Sequence, residues 1–136
     1  MRCMTLFTAA CLVGCTSQTP ALGLIASATD RIEYAVVEPT PEMAAELIHA
    51  KLSGVEVMVV ADHESATLMP MRAAGAYVFL ANVPQEFLRV DGRAVMADGE
   101  ISVDPGTARR YGVAFRELLL SARRAGTGRP RQHAGE

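Results

Sequence analysis

Residues 55–60 (VEVMVV) constrain the fold more than any other stretch of this chain. A strand-length run this apolar has to be buried on both faces, the position of a central strand in a parallel sheet. The residues before it form a helix over 40–53. Thr40 caps it, Pro41 fits its first turn, and Glu42 complements the positive end of the helix dipole. Met43, Ala44, Leu47, Ile48 and Leu52 then fall on one stripe, and Gly54 stops the helix. A strand at 31–37 (RIEYAVV) precedes that helix, which makes a β-α-β unit. The alternation continues with a helix at 65–74 ended by Gly75 and a strand at 77–80. Strands at 87–90 and 94–96 flank Asp91-Gly92, a hairpin signal. A short strand follows at 101–103. The last helix, about 106–124, is capped by Asp104-Pro105 and turns Ala108, Tyr111, Phe115, Leu118 and Leu119 inward. A weak helix of small residues over 20–29 opens the set. The pattern predicts one α/β domain over 20–124, with a mixed, largely parallel sheet flanked by helices. Residues 125–136 have no periodicity and are expected to form a mobile tail.

The chain begins with Arg2 and an apolar run, residues 3–13 (CMTLFTAACLV), too short to span a bilayer. It ends in Leu12-Val13-Gly14-Cys15, which resembles the bacterial lipobox. That resemblance implies an export signal over 1–14, lipidation of Cys15, and a short tether over 15–19. The membrane would then be a partner through the lipid anchor. Thr16 is not the Asp that signals inner-membrane retention, so the outer membrane of a two-membrane envelope is the expected location. Cys3 and Cys11 would leave with the signal, so the domain itself would hold neither a disulfide nor a thiolate metal site.

Charge is unevenly placed. Residues 16–108 carry thirteen acidic groups against Arg31, Lys51, Arg72, Arg89 and Arg93. From Arg109 onward seven Arg face only Glu117 and Glu136. An acidic body makes a poor groove for phosphate backbones, so nucleic acid is not an expected partner.

The order of the elements resembles the phospholipase D-like superfamily, in its single-motif branch of secreted and conjugation-associated endonucleases. The stretch AELIHAKLSGVEVMVVAD carries most of the likeness, followed by LMPMRAAGAYVFL, FLRVDGRAVM and ISVDPGTARRYGVAFREL. Together these cover roughly residues 20–122. The resemblance implies phosphodiesterase chemistry from a His-x-Lys-x4-Asp motif. There the His attacks phosphorus, the Lys binds the phosphate, and two copies in a homodimer complete the site. In this chain Asp91 stands at the Asp position, Glu86 at the Lys position and Pro84 at the His position. The Gly-Ser-x-Asn that should follow is replaced near Asp98-Gly99-Glu100. Glu86 would repel a phosphate that a Lys attracts. The expectation is therefore a degenerate, non-catalytic domain, a pseudoenzyme that binds an envelope protein of a secretion or conjugation apparatus. The alternative is a divergent phosphodiesterase that has moved its chemistry to other residues.

Candidates for that alternative are few. Asp62-His63-Glu64 follows a buried strand, at the end where open α/β sheets bind ligands. His63 beside carboxylates would suit proton transfer. Asp91 is the remaining candidate, although a hairpin favours Asp-Gly at that place regardless. His49 and His133 read as surface and tail residues. No second His or Cys stands at ligand spacing from His63, so no metal and no cofactor are expected.

Overall fold

The structure is a computed structural model that describes residues 19–135, with side chains described for residues 20–122. The expected signal over 1–14, Cys15 and most of the tether lie outside the described residues. The elements are α1 (Thr19–Ala26), β1 (Arg31–Val36), α2 (Pro41–Leu52), β2 (Glu56–Ala61), α3 (Leu68–Ala73) and β3 (Tyr77–Leu80). They continue as β4 (Phe87–Val90), β5 (Ala94–Ala97), β6 (Glu100–Ser102) and α4 (Pro105–Gly135).

Local chemistry accounts for most boundaries. The Thr40 hydroxyl accepts the Met43 N–H, and Pro41 opens α2. Asp104 accepts the Thr107 N–H at 2.9 Å and caps α4. Both hairpin turns use consecutive left-handed residues: Asp91 (φ 55°) with Gly92 (φ 66°), and Asp98 (φ 53°) with Gly99 (φ 78°). Asp visits that region more readily than most residues because its short polar side chain can hydrogen-bond locally. Two elements differ from the expectation. Helix α3 starts at Leu68 rather than 65, because Ser65 and Thr67 bond each other through their hydroxyls and the Ser65 carbonyl closes a turn on Leu68 N–H. Helix α4 runs through Gly135, over residues whose lack of periodicity suggested a tail. Periodicity reports a face to bury, whereas the helical hydrogen bonds themselves are local.

The sheet is mixed, in the order β3-β2-β1-β4-β5-β6. Strands β3, β2 and β1 run parallel; β4, β5 and β6 add an antiparallel half. The run 55–60 supplies β2, which is central and buried as its composition demands. One face carries Ile32, Val36, Val57, Val59, Leu88 and Val90 and packs under α1, α2 and α3, which contribute Ile25, Met43, Leu47, Leu68 and Met71. The other face carries Ala35, Val60 and Phe87 and lies against α4, whose Phe115 is 1% exposed. Phe115 meets Phe87 edge-on, with ring centroids 6.3 Å apart.

A largely buried ion pair sits in this second layer. Glu33 and Arg89 are register partners across β1 and β4. Arg89 Nη1 donates to Glu33 at 2.5 Å, and its Nε donates to the Ala108 carbonyl of α4 at 2.8 Å. Both side chains are largely buried. The guanidinium lies so close to α4 that a Cβ on Gly112 would come within 2.8 Å of it. Glycine at 112 is what lets the helix settle over a buried ion pair.

Candidate functional site

The exits of β1 and β2, the exit of β5 and the entry to β4 all lie at one end of the sheet, because β4 runs antiparallel to β1. This is the end at which open α/β sheets present ligand sites. Carboxylates stitch it together. Asp62 accepts the Val83 N–H at 2.9 Å and so holds the β3–β4 connection. That partner lies 21 residues away, beyond the reach of local reasoning. Glu86 Oε2 accepts the Val37 N–H at 2.9 Å where the chain leaves β1.

His63 is exposed at this end. Its Nε2 lies 3.5 Å from Glu38 and its Nδ1 3.8 Å from Asp62. Both separations are ion-pair distances, long for hydrogen bonds. Glu64 points elsewhere and forms a bidentate pair with Arg72, at 2.7 and 3.0 Å. The Arg72 hydrogen bonds hold the Glu64 carboxyl below its ordinary range. Among the described residues no group of three or more His, Cys, Asp or Glu is arranged to hold a metal ion.

Asp91 is at the opposite end. Its carboxylate accepts the N–H groups of Thr29, Asp30 and Arg31 and the Thr29 hydroxyl, at 2.7 to 3.2 Å. Its own N–H donates to the Arg31 carbonyl. Partial burial pushes this carboxyl up, but the bonds from Arg31, Thr29 and Asp30 outweigh burial and hold it below the usual carboxylate value. Asp91 thus ties the hairpin to the entry of β1. The full length of β1 separates it from His63, about 17 Å at roughly 3.3 Å per residue. The candidates His63 and Asp91 are not brought together. Arg89, one of the two cations that stand two residues from Asp91 in sequence, is committed to Glu33 and Ala108.

A cavity opens where β1, β4 and β5 meet α1 and α2 at the sheet end. It holds about 220 Å³ and is lined by Ala21, Tyr34, Thr40, Met43, Glu86, Phe87, Leu88, Met96, Ala97, Asp98 and Gly99. Among the described residues that line it, none is Lys, Arg or His. Burial, and then the Glu86 charge, push the Tyr34 phenol far above its ordinary pKa, so it stays neutral. Tyr34 was missed in the sequence. The alternation of RIEYAV places it on the face of Ile32 and Val36, but nothing in that pattern shows that β4 and β5 leave a gap above it.

The matching spatial order appears in solved structures. The chain superimposes on Nuc from Salmonella typhimurium, a phospholipase D family member, with a TM-score of 0.66 at 17% identity. The match covers 76% of this chain and 87% of that one. The fold is phospholipase D-like. A second structure, TrmBL2, an archaeal chromatin protein with a novel mode of DNA binding, gives a TM-score of 0.55 at 16% identity over 74% of this chain and 45% of that one. No family model matches the sequence, and no curated protein does. At these identities the likeness is one of fold. Within the phospholipase D-like frame, Glu86 stands in the cavity wall at the position that the resemblance gives to a phosphate-binding Lys, and Pro84 is exposed in the preceding loop.

Proposed function

We propose that this protein uses a phospholipase D-like fold for binding, without the phosphodiester chemistry of the family it resembles. One observation carries the reading: Glu86 stands where the motif would have Lys, bound to the Val37 N–H, in a cavity wall that holds no cation among the described residues. A phosphodiester brought there meets carboxylates, and the developing negative charge of its transition state would be destabilised. The separation of His63 from Asp91 by the length of the sheet argues in the same direction. It removes the pairing that a relocated mechanism would need.

The lipobox-like Leu12-Val13-Gly14-Cys15 supports anchoring of this domain in a cell envelope, on the periplasmic face of an outer membrane where the host has one. Its partner there is a protein of the envelope, of the secretion or conjugation kind that the resembled branch suggests, with a second copy of the chain as the other binding mode. No described helix is long and apolar enough to cross a membrane. Lipid and tether would therefore supply the attachment, and labelled palmitate should attach to the wild type and not to Cys15→Ser.

The test of function is turnover by the purified protein on a chromogenic phosphodiester and on single- and double-stranded DNA, with and without EDTA. The expected result is no turnover above buffer. Turnover that survives EDTA and is abolished by His63→Ala would establish a divergent phosphodiesterase and overturn the proposal.

A further inference from the structure

The cavity at the sheet end has three properties that together select a class of ligand. Its size comes first. About 220 Å³ is smaller than the roughly 300–1,000 Å³ of sites that enclose cofactors or drug-sized molecules. A volume of this size suits a single side chain or a small amine better than a whole nucleotide. The second property is its wall. Met43, Leu88 and Met96 give it apolar sides, and methionine adapts its shape to an alkyl guest. The third is the placement of its polar groups. Glu86 commits Oε2 to the Val37 N–H, and Oε1 has no partner among the described residues. Asp98 lines the cavity as well, in the β5–β6 turn. Tyr34 lines the cavity too, and its hydroxyl makes no hydrogen bond among the described residues.

We propose that this cavity binds a protonated primary amine carried on a short alkyl chain, either a free alkylamine or a lysine side chain of a partner protein. The inference rests on the binding reading given above and adds the ligand class to it. Phosphate and carboxylate ligands are repelled by Glu86 and Asp98. A neutral apolar guest would strip water from these carboxylates and return nothing for it. An alkylammonium satisfies both requirements, because its chain replaces water along the methionines while its three donors serve Glu86 Oε1, Asp98 and the Tyr34 oxygen. The neutral state of the Tyr34 phenol leaves it able to accept such a donor. The surrounding sheet end adds long-range attraction, since Glu38, Asp62 and Glu100 lie there as well.

The full chain, isotopically labelled, would be titrated with n-butylamine at neutral pH while amide resonances are followed by NMR. Parallel titrations would use n-butanol, inorganic phosphate and Nα-acetyl-lysine amide. Saturable shifts at Thr40, Ala97 and Gly99 are expected with butylamine, roughly tenfold weaker binding with butanol, and no shifts with phosphate. Glu86→Gln keeps an acceptor for Val37 and should weaken butylamine about tenfold. Asp98→Asn, which tolerates the same left-handed turn, provides a second variant with the same expectation should the first not fold. Tighter binding of the lysine derivative than of butylamine assigns the site to a partner's side chain; the reverse assigns it to a free amine. Equal affinity for butylamine and butanol, unchanged affinity in both variants, or absence of saturable shifts overturns the amine site. Those results leave the binding reading in place, which only phosphodiester turnover removes.

Discussion

Gly112→Ala is the most informative single substitution in this molecule, because two physical effects oppose each other in sign. In a helix interior the change ordinarily stabilises by about 1 kcal/mol. Here the new methyl would stand 2.8 Å from Arg89 Cζ and Nη2 and 3.2 Å from Nε. The guanidinium cannot withdraw without cost, since Nε is held by the Ala108 carbonyl and Nη1 by Glu33. Moving it strands Glu33, whose side chain is 9% exposed and whose other cation, Arg31, is 3.6 Å away. Breaking a buried ion pair by removing one partner costs roughly 3–5 kcal/mol. Displacement is less than removal, and the helix gain offsets part of it, so a net loss of about 1–3 kcal/mol is expected. With a urea m-value of about 1–3 kcal/mol/M, the unfolding midpoint should fall by roughly 1 M. Far-UV circular dichroism reads that midpoint. The control is the same substitution in a Glu33→Met, Arg89→Met background. There the steric and electrostatic conflict is gone and Gly112→Ala should raise the midpoint. A higher midpoint in the wild-type background, or the same sign in both, would refute the account of this contact.

Other outcomes follow from the same geometry. Asp91→Asn keeps a residue suited to the left-handed turn but loses the charged acceptor of three N–H groups, and should destabilise by about 1–2 kcal/mol at pH 7 in the same urea assay. Because the folded Asp91 carboxyl lies below its unfolded value, its contribution is complete above the unfolded pKa and disappears as pH falls through the folded one. Midpoints of wild type and variant should therefore converge in acid, and a difference that grows as pH falls would defeat the reasoning. Thr40→Ala removes the cap that accepts the Met43 N–H and should cost about 1 kcal/mol; an unchanged midpoint would mean that water replaces the cap.

Much of the architecture was legible in sequence. The stripe of Met43, Leu47 and Ile48, the run 55–60, and the Asp91-Gly92 and Asp104-Pro105 signals sufficed to order the elements and to suggest the phospholipase D-like arrangement. The site was less legible. Glu86 stood out only through its place in a resembled motif, and its bond to Val37 depends on how β4 enters beside β1. Glu33 and Arg89 look like the polar positions of two half-exposed strands until α4 is laid across them. Tyr34 reads as one more alternating residue until three strands leave a space above it.

Helix caps, turns and the burial of β2 were determined by the sequence alone, since each depends on neighbours within a few residues or on a simple period of apolar side chains. Where functional groups meet was decided only by the tertiary structure. The antiparallel insertion of β4 next to β1 sends Asp91 to one end of the sheet and Glu86 to the other, beside Val37 and near the exits that carry His63. Strand direction and pairing partner are settled by packing between residues far apart in the chain. No local pattern encodes them, and they put the acidic cavity at the end where open α/β sheets present ligand sites and Asp91 at the other.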